Sequence, residues 1–141
     1  MINIIDAAKY LVFLSYQNMK SLTPLKLQKI LYLSQGWSYV WDDKPLFKEH
    51  FNAWQYGPVN VEVYEYFKKY GRAEIPEDES LSYISDSCSR ETLESVWRNY
   101  CNYSAFELVN LTHQQSPWIK AFQKGTEISN SDIKDYFRST Y

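Results

Sequence analysis

The side chains best equipped for chemistry in this 141-residue chain are two histidines, two cysteines and a few paired carboxylates. A two-histidine metal site would need His50 and His113 to converge with a carboxylate, and they lie on segments that read as unrelated. Each reads as an ordinary surface or hydrogen-bonded residue. Cys101 falls on the apolar stripe of a helix, where a thiol behaves as a small hydrophobe. Cys88 sits in a polar loop with no flanking Lys or His to lower its pKa, although Arg90 is near. Two cysteines do not make a disulfide framework. The pairs Glu62/Glu65 and Glu91/Glu94 have helical spacing, and such pairs are usually solvated faces. The sequence contains no GxxxxGK[ST], GxGxxG, GxSxG, HExxH or CxxC. An enzyme acting through His113, Gln114 and Gln115 is disfavoured, because neither a base–nucleophile pair nor a phosphate loop accompanies them. The expectation is a non-enzymatic protein with no catalytic residue, metal or cofactor.

Those residues hang on a predominantly helical framework. Residues 3–17 are apolar on nearly all sides, which predicts a central helix. The second helix is the best marked: Thr23 is a good N-cap, Pro24 takes the first helical position, and Leu22 can staple to Leu27. Leu27, Ile30, Leu31, Ser34 and Trp37 then recur at helical spacing, with Lys26 and Lys29 off that stripe and expected to be solvated. After a turn at 42–45, residues 46–56 read as an extended ribbon. Phe47, Glu49, Phe51, Ala53 and Gln55 share one face, and Lys48, His50, Asn52, Trp54 and Tyr56 the other. Gly57-Pro58 is expected to open a third helix that buries Val63, Tyr66 and Phe67 and stops at Gly71. Residues 72–88 read as an acidic, serine-rich loop with room for a short strand at 73–75. A fourth helix is expected after Ser89, a fifth behind the capping box Ser104-x-x-Glu107, a short one from Ser116-Pro117-Trp118 to Gly125, and a last one capped by Ser129. The predicted fold class is mostly α (α-rich α+β): a compact single domain, 1–141, of about six helices with a short β-ribbon after the second helix.

Net charge is −2, but residues 1–72 carry +3 and residues 73–141 carry −5. A dedicated duplex-DNA binder usually shows a basic excess, so no specific nucleic-acid binding is expected. No run of about 18 apolar residues exists and the N-terminus lacks a signal-peptide pattern, so a cytoplasmic protein is expected. Aromatic residues reach 18%, with thirteen Tyr and five Trp. That richness suits either an interface or a crowded core, and is compatible with a homo-oligomer.

From Thr23 to Gly71 the order of short words is specific. Lys26-Leu27-Gln28-Lys29 leads to Leu31-Tyr32, Gly36-Trp37 and Lys44-Pro45-Leu46-Phe47, then to Ala53-Trp54, Tyr56-Gly57-Pro58-Val59 and Val63-Tyr64. The stretch resembles the Panacea domain, the SocA-like antitoxin family of bacteria, prophages and phages. Leu111-Thr112-His113, Pro117-Trp118 and Ile133-x-x-Tyr136-Phe137 extend the resemblance over nearly the whole chain. It implies a compact α-rich antitoxin that neutralises a toxin, typically encoded beside it, by direct protein contact. The family also carries an adaptor role in toxin proteolysis, and a phage or prophage protein engaging a host factor is an alternative. Most of these words read as scaffold. The partner surface is expected on the ribbon before Gly57, at Trp54 and Tyr56 with Lys48 and His50, and with Lys26 and Lys29 as contacts for an acidic partner. Against that, Trp54 is expected to fold back beneath the following helix, whereas for Tyr56 burial and exposure are both open.

Overall fold

The fold is described here from a computed structural model, for residues 1–77 and 83–141. Asn3 caps the first helix, α1 (Ile4–Gln17), its Oδ1 accepting from the amides of Ile5 and Asp6. Thr23 caps α2 (Pro24–Asp42), whose buried side chains surround it almost completely. Next come β1 (Phe51–Trp54), β2 (Gly57–Val59), α3 (Val61–Phe67) and a 3-10 turn over Lys68–Tyr70. The chain closes with α4 (Ser87–Tyr100), α5 (Ala105–His113), α6 (Ser116–Lys124), β3 (Glu127–Ile128) and α7 (Asn130–Thr140). The expected helical fold with a small β element after the second helix is therefore present. The capping box forms in both directions, and Ser129 Oγ accepts from the Asp132 amide. Among the described residues no helix is long and apolar enough to cross a membrane.

The axis of the molecule is α2, which packs against α4, α7, α5, α1, α3 and β2. Its Leu27, Ile30, Leu31 and Tyr32 are fully buried with Leu11, Phe47, Phe51 and Phe137. The sheet has the order β2-β1-β3, antiparallel throughout, with Trp54 opposite Gly57 and Phe51 opposite Ile128.

Where α2 crosses α7, Gly36 faces the ring of Phe137, and a Cβ at position 36 would collide with that ring. Phe137 is itself wedged by Tyr32, Trp37, Tyr136 and Tyr141, so it has nowhere to turn. Overpacking of this kind costs about 1–3 kcal/mol, and the better helix propensity of alanine returns about 1 kcal/mol at most. Gly36→Ala should lower Tm by several degrees, and adding Phe137→Leu should recover part of the loss. An unchanged melt for the single variant would refute this packing.

Several local expectations are corrected. Gly57-Pro58 does not open a helix: it forms β2, and the helix starts later, behind an Asn60 cap whose Oδ1 accepts from the Val63 amide. The extended ribbon expected at 46–56 pairs only from Phe51, and Gln55 and Tyr56 are the two-residue turn of a hairpin. Tyr66 is exposed, not buried. Residues 73–75 are not a strand; the Ile75 amide donates to the Leu22 carbonyl and the Ile75 carbonyl accepts from the Tyr16 hydroxyl. The fourth helix begins at Ser87, earlier than expected, because Asp86 caps it. Cys101 follows that helix as its C-cap and is only half-buried. The loop expected over 72–88 lies partly outside the described residues.

The largest correction concerns Lys26 and Lys29, which were expected in solvent. Lys26 is 7% exposed and Lys29 is 0% exposed. Lys26 Nζ donates to the Cys101 carbonyl at 2.6 Å, so its cation sits at the C-terminal end of α4, where the helix dipole favours positive charge. Lys29 Nζ donates to the Pro58 carbonyl at 3.0 Å. Both stems run along apolar surface and both heads find carbonyls, so neither needs water.

Candidate functional site: the hairpin and its groove

A row of polar side chains on α2 fixes the segment that follows it. Gln28 bonds Asn60 in both directions, its Oε1 accepting from the Asn60 amide (2.9 Å) and its Nε2 donating to the Asn60 carbonyl (3.0 Å). Lys29 holds Pro58, and one turn further on Tyr32 donates its hydroxyl proton to Gln115 Oε1 at 2.9 Å. At Gln35, Oε1 accepts from the amides of Leu46 and Phe47, while Nε2 donates to the Phe47 carbonyl. A helix interior has no spare backbone donors, so these side chains supply the partners that an irregular buried segment needs.

The hairpin so held is closed by Gly57 at φ +104°, which leaves Gln55 and Tyr56 with ordinary negative φ. A Cβ at Gly57 would lie 2.6 Å from Lys29 Cε and 2.9 Å from Thr112 Oγ1. Conformation and close approach therefore both demand glycine here.

The turn projects two aromatics. Trp54 is 38% exposed and Tyr56 is 51% exposed. Contrary to expectation, Trp54 does not fold beneath α3. Its ring stands edge-on against Tyr64 of α3, with centroids 5.0 Å apart, and leaves part of its face in solvent. Tyr56 stands near Phe106 of α5, also exposed. Between the turn, α3 and the start of α2 runs an apolar groove of about 680 Å³, lined by Trp54, Tyr56, Val63, Tyr64 and Phe67 and floored by Leu25. An apolar groove with a few aromatic walls is the usual setting for a buried partner group.

Of the six residues singled out from sequence, the structure brings Trp54 and Tyr56 together at the groove. Lys48 and His50 are exposed outside it, and His50 Nδ1 lies 3.7 Å from Glu127 Oε1. Lys26 and Lys29 are interior. Sequence reasoning missed Tyr64 and Phe106 as surface aromatics. Their signal was present for Tyr64, which falls off the apolar stripe of α3 that Val63 and Phe67 define. Among the described residues no three His, Cys, Asp or Glu side chains gather as a metal site. Cys88 has its thiol pushed up, chiefly by a hydrogen bond with Asp42, which is the wrong direction for a nucleophile.

The comparisons with known proteins converge on one family. The family described as "Antitoxin SocA-like, Panacea domain" matches residues 27–119, a span that starts within α2 and ends within α6. The antitoxin SocA of Caulobacter vibrioides is 32% identical, in an alignment covering 81% of this chain and 71% of that protein. No solved structure gives a significant match. Two of the words that carry the resemblance meet across one lock: Lys29 on α2 holds Pro58 of the hairpin, while its neighbour Gln28 holds Asn60, the cap of α3. The chain belongs to the SocA-like antitoxin family, whose defining unit is the Panacea domain.

Proposed function

We propose that this protein is a non-enzymatic antitoxin, a one-domain cytoplasmic protein that neutralises a partner toxin by direct contact through the hairpin turn and its groove. The observation that carries the reading is the exposure of Trp54, Tyr56 and Tyr64 around one apolar groove, in a chain of an antitoxin family. Trp and Tyr dominate interface hot spots because they bury large area with little loss of side-chain freedom. The groove accepts apolar side chains of the toxin, and the aromatic rim closes over them. Lys48 and His50, outside the groove, are assigned to the rim of the contact, where charge steers approach more than it adds affinity.

The test is co-expression with the product of the adjacent gene. Relief of the growth arrest caused by that product, together with a complex stable on size exclusion, is expected. Relief without a complex, with the toxin's target chemically modified instead, would overturn sequestration. Tyr56→Ala should leave the melt nearly unchanged, since the side chain is half in water. Its effect on affinity should be about 2 kcal/mol or more, read by calorimetry on the purified pair. Unchanged affinity would remove the hairpin from the contact.

A further inference from the structure

The partner-facing turn is hydrogen-bonded from the other half of the chain as well, and only through its main chain. His113 Nε2, at the end of α5, donates to the Gln55 carbonyl at 2.9 Å. Trp118 Nε1, in the first turn of α6, donates to the Trp54 carbonyl at 2.8 Å. The two rings stack on each other, with centroids 4.1 Å apart, and Trp118 stacks in turn on Phe122 at 4.6 Å. A third donor, Lys29 Nζ, takes the Pro58 carbonyl just past the turn. The side chains of Trp54, Gln55 and Tyr56 themselves accept or donate none of the hydrogen bonds found among the described residues.

We propose that His113 and Trp118 are positioning residues for partner recognition, a stacked pair that sets the hairpin tip by holding its two carbonyls and leaves the tip's side chains free for the partner. The inference rests on the contact surface proposed above. A two-residue turn whose carbonyls at its entry and first residue are unheld can rock about its strands, and every ångström of rocking displaces Trp54 and Tyr56 together. Holding the carbonyls removes that freedom before binding, so less order has to be imposed when the partner arrives. The grip is blind to side-chain identity, because a carbonyl is the same whatever residue bears it. His113 can serve in either charge state, provided Nε2 carries its proton, since both forms donate from that atom.

Three variants separate positioning from simple stability. Trp118→Phe keeps an aromatic ring in the stack and deletes the N–H. His113→Ala deletes the other donor, and His113→Gln restores an amide donor on a side chain of similar reach. In the free protein, hydrogen exchange at the amides of Gln55, Tyr56, Gly57 and Val59 should quicken about three- to tenfold in Trp118→Phe and in His113→Ala, the worth of one net hydrogen bond. Exchange in the centre of α2 should not change. Binding to the co-expressed partner should weaken by a similar factor in both variants and recover in His113→Gln, with Tm within a few degrees of wild type in all three. Wild-type exchange and wild-type affinity in Trp118→Phe and His113→Ala would overturn the positioning role while leaving the contact surface standing. Faster exchange with unchanged affinity would likewise overturn it. Failure of the wild-type chain to form any complex would overturn the contact reading, and the positioning role with it.

Discussion

Gln35→Leu is expected to destabilise the protein by about 3–6 kcal/mol, because three buried backbone groups lose their partners at once. The amides of Leu46 and Phe47 donate to Gln35 Oε1 at 2.8 and 2.9 Å, and the Phe47 carbonyl accepts from Nε2 at 3.1 Å. Gln35, Leu46 and Phe47 are all buried, so water does not take over. An orphaned buried donor or acceptor costs about 1–3 kcal/mol, and whole domains are stable by only about 5–15 kcal/mol. Urea unfolding should show a large fall in the midpoint, or a variant that does not accumulate folded. Asn130→Ala is the control: its Oδ1 accepts a longer bond from the same glutamine, at 3.4 Å. Its loss should be well under that of Gln35→Leu. A Gln35→Leu protein within about 1 kcal/mol of wild type would show that the 46–47 segment is held some other way.

The second large effect is a rise in stability with pH to which Lys29 should contribute most. Burial pushes the Lys29 ammonium down to about 7, because its charged form is poorly solvated in the interior. In the unfolded chain a lysine titrates near 10.4. Between about pH 7 and 10 the unfolded state therefore holds more protons than the folded state, so stability increases as pH rises. Below pH 7 both states are protonated and this contribution is flat. From pH 7 to 9 the gain should be about 2 kcal/mol, counting about 1.4 kcal/mol per pH unit once the folded lysine is neutral. Lys26, also pushed down by burial, adds in the same direction, whereas the raised thiol of Cys88 works against it from about pH 8.5 upward and Tyr10, pushed up to about 12 by burial, only above about pH 10. Lys29→Met removes this titrating group, so its curve should lack the climb of about 2 kcal/mol that wild type shows from pH 7 to 9. Because Lys26, the tyrosines and Cys88 are common to both proteins, the difference between the two curves isolates Lys29. Parallel curves would mean that Lys29 is not depressed in the folded protein.

Much of the framework was legible before any coordinates. The caps at Thr23, Ser104 and Ser129, the prolines at 24 and 117 and the glycine at 125 mark helix ends through chemistry that is local to a few residues. Apolar spacing placed Leu27, Ile30, Leu31, Leu108, Ile133 and Phe137 in the interior, where they are. The Gly57-Pro58 pair was misread because the same dipeptide that can begin a helix can also close a hairpin. What selects the hairpin is the contact of Gly57 with Lys29 and Thr112, residues 28 and 55 positions away.

By itself, then, the sequence determined which segments become helices, which apolar faces turn inward and which family the chain resembles. Hydrophobic periodicity and capping depend on neighbours within one or two turns, and those neighbours are written side by side. The tertiary structure alone decided the fate of the polar residues on α2 and of the aromatics around the turn. Periodicity assigns a lysine off the apolar stripe to water, yet Lys29 lies inside because a carbonyl from a distant strand meets it there. Trp54 was expected to fold back beneath the next helix, whereas the strand end is hydrogen-bonded through its carbonyls by His113 and Trp118 and the ring stays partly exposed. Each outcome turns on a backbone group that becomes available only after the chain has folded back, and no local pattern of side chains records where that group will be.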